Sequence, residues 1–170
     1  MAGGTHGIVA HRQLIAFGVS SSTVQRWVEN GRLHRLHLGV YAVGHTALTA
    51  QARWLAGVLA CGPDAVLSHQ PAAALLDLRR SASPVIHVTT PRRANPRGIR
   101  AHRVRRLHAD DAGVRDGIPV TSVARTLLDL AAVLPLRQLI RAVEQAERLS
   151  VFDLRAVERL IGRSHGRSGG

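Results

Sequence analysis

The sequence lacks lysine, has one cysteine and contains no long apolar run, and each of these shortages excludes something. Cys61 has no second thiol with which to form an intramolecular disulfide, which indicates a reducing compartment. Residues 1–13 hold no apolar stretch of the length found in signal peptides. No segment approaches the ~18 to 20 apolar residues that span a bilayer. We therefore expect a cytoplasmic protein that has no membrane partner.

The sequence also lacks the side-chain patterns of common enzymes. A two-metal nuclease needs clustered carboxylates, and here only Asp110 and Asp111 are adjacent. The absence of lysine excludes metal-dependent nuclease folds that require that residue. Ser68 and His69 are the residue types of a serine–histidine catalytic dyad. Adjacent residues at the start of a helix rarely place the hydroxyl and the imidazole for proton transfer, so we interpret Ser68 as a helix cap. We expect a protein that is not an enzyme and has no catalytic residue.

The histidines, ten in all, show no metal-ligand spacing. His34 and His37 flank a predicted turn, and His102 and His108 are scattered among arginines. Cys61 has no thiol partner, and no glycine-rich phosphate loop is present. We therefore predict no metal site and no cofactor.

What the chain has in excess is positive charge. Its 23 basic residues are all arginine and, against 11 acidic residues, they give a formal net charge of +12. The isoelectric point near 11.8 favours a polyanionic partner, for which nucleic acid is the default. A hydrophobic content of 45% with 20% charged residues is typical of a globular protein.

Residues 10–43 predict a helix, a short turn that holds Gly18, a second helix and a β-hairpin. This is the order of a winged helix-turn-helix. The second helix, over residues 20–30, has Ser20 at its N-cap and Gly31 where a left-handed residue would end it. These local signals make it the most clearly predicted element of the chain.

The second predicted helix has an apolar and a polar side. Three residues share the apolar side and should pack on the preceding helix: Val24, Trp27 and Val28. On the opposite side, Gln25 and Arg26 have forked hydrogen-bonding groups that match the base edges exposed in a major groove. The hairpin strands, predicted over 33–36 and 40–43, would lie beside a phosphate backbone. The predicted DNA-binding residues of both elements are Ser21, Ser22, Gln25, Arg26, Glu29, Arg32, His34, Arg35 and His37.

The rest of the chain predicts a second unit, so that the fold class is α+β. We assign residues 1–44 to the winged helix-turn-helix, 45–161 to a small mixed α/β domain with C-terminal helices, and 162–170 to a disordered tail. Predicted helices cover 48–60, 68–78, 121–132, 136–149 and 153–161, and predicted strands cover 85–90, 99–104 and 118–120. The N-caps predicted for three of these helices are Ser68, Thr121 and Asp153.

A second basic cluster lies between two of the predicted strands. Residues 91–98 form a loop with proline, glycine and the arginines Arg92, Arg93 and Arg97. Two interpretations stay open: a solvated hairpin tip, or an additional phosphate contact that extends the DNA footprint. The loop has no aromatic residue, which argues against stacking on single strands.

Three segments carry a resemblance to a known family: GRLHRLHLGVYAVG, ARWLAGVLACGPDAVLSHQPAAALLDL and RDGIPVTSVARTLLDLA. Over about residues 7–161 the chain is similar to AbiEi-type antitoxins and transcriptional regulators of type IV toxin–antitoxin systems. In that family an N-terminal winged helix binds repeats upstream of its own operon. The domain that follows supports neutralisation of a nucleotidyltransferase-like toxin without necessarily binding it. The resemblance implies double-stranded operator DNA as partner, a recognition helix over 21–30 and a wing over 33–43.

The chain departs from this family at three places. Residues 1–9 leave almost no room for the helix that normally precedes the two described, Ala10 stands where a hydroxyl cap is usual, and Leu38 occupies a wing-tip position where a basic residue is common. Within residues 118–131, which otherwise indicate packing, Arg125 is the one charged group to which we assign a function. A two-fold homodimer would suit inverted-repeat operators.

Two other functions are consistent with the sequence. Similar N-terminal halves occur fused to endonuclease domains that resemble very-short-patch-repair enzymes, so the chain could be the non-catalytic DNA-targeting half of such an enzyme. A protein-interaction module that uses the alanine- and leucine-rich helices would form oligomers and bind no DNA. The leading hypothesis is a sequence-specific repressor that binds duplex DNA.

Overall fold

The N-terminal part of the chain forms two short helices and a small antiparallel sheet. The computed structural model describes residues 5–80 and 83–165. The first elements in chain order are β1 (Ile8–Ala10), α1 (His11–Ala16), α2 (Ser21–Glu29), β2 (Leu33–His37) and β3 (Val40–Val43). Strands β2 and β3 form the predicted hairpin, and the three-stranded order is β1-β3-β2. The helix, turn, helix and hairpin therefore follow one another as the sequence indicates.

Local signals explain where α2 and the hairpin begin and turn. The Ser20 hydroxyl accepts a hydrogen bond from the Thr23 backbone N–H at 3.2 Å, which caps the first turn of α2. Gly31, with φ +75°, ends the helix in the left-handed region that favours glycine. Gly39, with φ +69°, makes the tight turn between β2 and β3. These predictions of helix and hairpin bounds are confirmed.

The segment before α1 is a strand. Residues 8–10 pair antiparallel with β3, so that Ile8 lies opposite Ala42 and Ala10 opposite Val40. Ala10 has no side chain that can cap α1, but the Gln13 side chain reaches back and accepts the Ala10 backbone N–H at 2.8 Å. The segment that has almost no room for a further helix thus contributes a strand to the first sheet.

The remaining elements form a five-stranded sheet with helices. In chain order they are α3 (Ala50–Ala60), β4 (Val66–Leu67), α4 (His69–Leu75), β5 (Ile86–Thr90), β6 (Ile99–Arg103), β7 (Ala112–Arg115), β8 (Ile118–Thr121), α5 (Val123–Ala131), α6 (Leu136–Arg148) and α7 (Leu154–His165). The strand order is β6-β5-β4-β8-β7. The predicted α+β class is confirmed. No helix among the described residues is long and apolar enough to cross a membrane.

The pairing of β5 with β6 corrects the interpretation of residues 91–98. The two strands are parallel, with Ile86 opposite Ile99 and Thr90 opposite Arg103. A parallel pair needs a connection that returns along the sheet, so residues 91–98 are a crossover and not a hairpin tip. Strand β7, which pairs antiparallel with β8, was not predicted.

Several predicted helix ends also differ from the structure. Thr121 is the last residue of β8, and Ser122 caps α5 by accepting the Arg125 backbone N–H at 3.3 Å. Ser68 precedes α4 but makes no capping hydrogen bond, and α4 ends at Leu75 instead of residue 78. Asp153 caps α7 as predicted, but α7 runs to His165, so residues 162–165 are helical and not part of a tail. Residues 166–170 lie outside the described residues.

Helix α3 joins the two sheets in one apolar core. Its buried Ala52, Leu55 and Val58 belong to the same cluster as Val40 of the first sheet and Val88 of the second. Burying each leucine or valine side chain contributes roughly 1.5–3 kcal/mol. The predicted boundary at residue 44 separates the two sheets, but the core is continuous across it. A second cluster lies between α4, α5 and α6, and a third lies under α2.

Substitution of Gly57 by alanine tests how tightly α3 packs against the second sheet. A Cβ at Gly57 would lie 2.9 Å from Cγ2 of Ile86 and 3.4 Å from Cδ1 of Ile99. Alanine gains about 1 kcal/mol over glycine in a helix, whereas overpacking costs about 1–3 kcal/mol. Because β-branched Ile86 cannot easily move, we expect Gly57→Ala to lower the free energy of unfolding by about 1 kcal/mol, measured by urea denaturation.

Gly162→Ala is the matched control, because a Cβ at this α7 position meets nothing within 4 Å. We expect it to be neutral or to raise the free energy of unfolding by up to about 1 kcal/mol. If Gly57→Ala is as stable as Gly162→Ala, the packing of α3 on β5 is not as tight as described.

Candidate nucleic-acid interface

Helix α2 is held in place by its apolar side. Val24 is buried with Leu33 and Tyr41 of the hairpin, and Trp27 and Val28 pack against the same cluster. Leu14 of α1 and Val19 of the turn complete this cluster, as the predicted contact with the preceding helix requires. At the N-terminus of α2, the Ser21 hydroxyl lies 3.3 Å from Nε2 of His11. The helix is therefore fixed against both α1 and the hairpin.

The opposite side of α2 is open to solvent, as predicted. The exposed residues of this side are Ser21, Ser22, Gln25, Arg26 and Glu29. The Gln25 amide donates a hydrogen bond to the Glu29 carboxylate at 3.0 Å. Within the described residues, the Arg26 guanidinium has no ion-pair or hydrogen-bond partner. Its donors are therefore free to bind a ligand such as a base edge or a phosphate.

The hairpin places basic side chains beside α2. Arg32 and Arg35 are exposed, and His34 and His37 are half-buried. Burial lowers the pKa of His37 from its ordinary value, so its imidazole is neutral at pH 7 and can donate a hydrogen bond but adds no charge. Leu38 at the tip is 91% exposed. We call the exposed polar side of α2 together with Arg32, His34, Arg35 and His37 the α2–hairpin surface.

A groove connects the α2–hairpin surface to the second basic cluster. It has a volume of about 640 Å³ and lies between the hairpin turn, the end of α3 and the loop that follows β5. His37 and Leu38 line one side, and Arg93 and Arg97 line the other. The fold thus brings together two basic segments that are more than fifty residues apart in the sequence.

The three arginines of the loop differ in their surroundings. Arg92 forms an ion pair with Asp64 at 3.1 Å, and both side chains are more than half exposed. Arg93 and Arg97 are exposed and have no such partner within the described residues. Of the three predicted phosphate contacts, Arg93 and Arg97 are therefore the ones that retain a free charge.

Arg125, the charged residue of the β8–α5 segment, is tied to its own helix. Its Nε donates to the Asp129 carboxylate at 2.8 Å, and the two side chains are only 18% and 8% exposed. Burial raises the pKa of Asp129, which the Arg125 charge opposes. The pair lies within α5, so the Arg125 guanidinium is occupied by its own helix.

Within residues 5–80 and 83–165 no three carboxylates lie close enough together to share a metal ion. Ion pairs with arginine involve Asp64, Asp77, Asp111, Asp116, Asp129 and Asp153. The only group of three or more potential metal ligands that the described part of the chain brings together is made of histidines. This group is His69, His87 and His102, which we call the histidine cluster.

The histidine cluster is formed by contacts that no spacing in the sequence predicted. Nδ1 of His87 lies 2.9 Å from Nε2 of His102, and the rings of His69 and His102 stack with centroids 3.9 Å apart. Nδ1 of His69 lies 2.9 Å from the Ser68 hydroxyl, so these two adjacent residues do contact each other and Ser68 is not a cap. The interpretation of the histidines as scattered is wrong for His102.

The cluster is electrically neutral at pH 7. Burial first, and then the charges of neighbouring histidines and arginines, lower the pKa of His69 to about 3 and that of His87 to about 4. The pKa of His102 is lowered by burial and by Arg100 and Arg125. His69 also has φ +57°, a conformation that costs a non-glycine residue of order 1 kcal/mol and that is common at functional sites.

Comparison with known proteins adds no family to this geometry: no protein-family model matches the chain, and no curated protein matches it either.

The single thiol lies on the floor of the groove and is shielded. Cys61 is 3% exposed, and burial raises the pKa of its thiol to about 11. Only the thiolate is nucleophilic, and the pKa of a free cysteine is about 8.5. We therefore expect iodoacetamide to label the folded chain slowly at pH 8, with a rate that rises about tenfold per pH unit between pH 7 and 9. Mass spectrometry of timed samples measures this rate.

The same chain unfolded in urea is the control for Cys61. Its labelling rate should be far higher at pH 8 and should begin to level off near pH 9, because the unfolded thiol has its ordinary pKa. Equal rates for the folded and unfolded chain would contradict the burial of Cys61.

Proposed function

We propose that the protein is a transcriptional regulator that binds double-stranded DNA through the α2–hairpin surface. In this proposal α2 enters the major groove as the recognition helix of a winged helix-turn-helix, and the hairpin is the wing beside the phosphate backbone. Arg26 and Gln25 contact base edges, while Arg32 and Arg35 contact phosphates.

The observation that carries the proposal is the open polar side of α2. Arg26 is exposed there without an ion-pair partner in the described residues, and the exposed Arg32 and Arg35 follow on the adjacent hairpin. In a chain of net charge +12, such a surface favours a polyanion.

The groove between the hairpin and the crossover loop supports a larger footprint. Arg93 and Arg97 lie across this groove from His37, so a duplex that contacts the hairpin could also reach the loop. Each additional phosphate neutralised steepens the salt dependence of binding. The proposal therefore includes Arg93 and Arg97 as phosphate contacts, and it leaves Arg92 to its ion pair with Asp64.

The finer part of the proposal is an AbiEi-like antitoxin that represses its own operon. It is supported by the resemblance of three segments to that family. In this role the protein binds operator repeats as a homodimer, opposes a nucleotidyltransferase-like toxin that it need not touch, and performs no catalysis. A neighbouring nucleotidyltransferase gene would support this role, whereas a downstream reading frame that encodes an endonuclease domain would support a truncated very-short-patch-repair-like protein.

Arginine substitutions test the proposed contacts with DNA. Binding to a duplex from the chain's own upstream region is measured by fluorescence anisotropy across salt concentrations, with a scrambled duplex as competitor. We expect Arg26→Ala to weaken specific binding by about 1–3 kcal/mol and to relax sequence preference. Arg35→Ala should weaken binding to all sequences alike and reduce the salt slope by about 1.

Arg137→Ala is the matched control. Arg137 is exposed on α6, which packs against α5 and not against the hairpin. The substitution removes the same charge as Arg26→Ala and Arg35→Ala do. Because Arg137 lies outside the α2–hairpin surface, both the DNA affinity and the sequence preference should change little. If Arg26→Ala and Arg35→Ala behave as Arg137→Ala does, the α2–hairpin surface is not the DNA-binding surface.

A further inference from the structure

We propose that His69, His87 and His102 bind a divalent first-row transition metal ion, of which Zn²⁺ is the best fit. The inference is independent of the proposed DNA binding, because none of the three residues belongs to the α2–hairpin surface.

The histidine cluster is built on neighbouring elements of the second sheet. His87 lies on β5 and His102 on β6, and these strands pair in parallel. His69 is the first residue of α4, one residue after β4 ends, and β4 pairs with β5 on the side opposite β6. Two of the imidazoles therefore come from paired strands and the third from the start of the helix that follows β4, positions that hold them more firmly than a flexible loop would.

The distances are close to those of a metal site. One nitrogen from each of the three rings lies within 4.8 Å of the others. In a tetrahedral zinc site with bonds of about 2.0–2.1 Å, ligand nitrogens are about 3.3 Å apart. The 2.9 Å between Nδ1 of His87 and Nε2 of His102 must open slightly, and His69 must approach. The stacked rings of His69 and His102, whose centroids are 3.9 Å apart, must also tilt so that their nitrogens converge on the ion.

Two polar neighbours of the cluster also indicate a ligand. The Ser68 hydroxyl is hydrogen-bonded to Nδ1 of His69, so Nε2 of that ring is left to bind a metal. Outer hydrogen-bond partners of this kind orient histidines that ligate metals. Thr89 lies two residues from His87 on the same side of β5 and is opposite His102 in the register. Its hydroxyl is buried and has no hydrogen-bond partner within the described residues. A water molecule on the metal could provide that partner.

Charges near the cluster favour a strongly coordinating metal over a loosely held cation. Arg100 and Arg125 both act on the cluster electrostatically and would repel a positive ion. Arg125 is neutralised by Asp129 at 2.8 Å, and Arg100 is exposed and can turn into solvent. Mg²⁺ and Ca²⁺ need oxygen ligands and would not bind here, whereas imidazole suits zinc, cobalt, nickel and copper.

With three histidine ligands, a four-coordinate zinc ion would have one coordination position that no protein side chain fills. Three histidines with a fourth position for water are the ligand set of reactive zinc sites, whereas structural sites are closed by four protein ligands. His87 and His102 are only half-buried, so water can reach the ion. The structure therefore assigns this site an exchangeable fourth ligand, and a small anion or a substrate oxygen would bind there.

Titration of the untagged full-length chain with Co²⁺ tests the proposal. After treatment with EDTA and removal of the chelator, the parent protein should bind one Co²⁺ ion with the visible absorption of tetrahedral or five-coordinate cobalt. Addition of Zn²⁺ should abolish that absorption. Zn²⁺ should also raise the melting temperature in a concentration-dependent manner, because an ion bound only to the folded state stabilises it.

Single substitutions of the ligands show whether the ion binds at this site. His87→Gln and His102→Gln should each weaken Co²⁺ binding by roughly 100-fold or more, since loss of an outer-shell partner alone costs 10–100-fold. For His69 the substitution is Asn, which tolerates the left-handed backbone found there. Circular dichroism identifies any variant that does not fold, and the folded ones decide the outcome.

His45→Gln, which removes an exposed histidine outside the cluster, is the matched control and should bind Co²⁺ as the parent does. The proposal is overturned if the parent shows no stoichiometric cobalt spectrum. It is equally overturned if folded His87→Gln and His102→Gln bind as tightly as His45→Gln, because the ion would then be on surface histidines. Loss of metal binding with unchanged DNA affinity supports the metal site and leaves the proposed function standing.

Discussion

The packing of α3 against both sheets is the contact on which the other surfaces of this protein depend. One apolar core contains Leu55 of the helix, Val40 of the first sheet and Val88 of the second. Because close-packed interiors resist displacement, this core holds the two sheets in one arrangement. Arg12 adds a polar contact by donating to the Leu59 carbonyl at 3.0 Å. The groove between the hairpin and the crossover loop is a consequence of that arrangement.

The distribution of partners among the arginines is as informative as their number. Six aspartates around the second sheet and the last helices form ion pairs with arginine, as in Asp111 with Arg163 and Asp77 with Arg115. The α2–hairpin surface contains a single acid, Glu29, which bonds to Gln25. The exposed Arg26, Arg32 and Arg35 beside α2 form no ion pair within the described residues.

Elements with strong local signals were predictable, and elements that depend on a distant partner were not. The cap at Ser20 and the left-handed Gly31 lie within one helix, so its ends could be located from a short window of sequence. Strand β1 is only three residues long and exists because β3 lies beside it. The same reason explains why the parallel pairing of β5 with β6 was missed, since alternation of side chains is the same in parallel and antiparallel strands.

The amino-acid sequence by itself determined the α+β class, the polar and apolar sides of α2 and the net positive charge. Each follows from local periodicity, turn chemistry or composition, which need no knowledge of the fold. Only the tertiary structure decided that Arg93 faces the hairpin across a groove. It also decided that His69, His87 and His102 meet. The three histidines are 15 or more positions apart in the sequence and lie on two paired strands and the start of α4, and strand register is set by pairing in space.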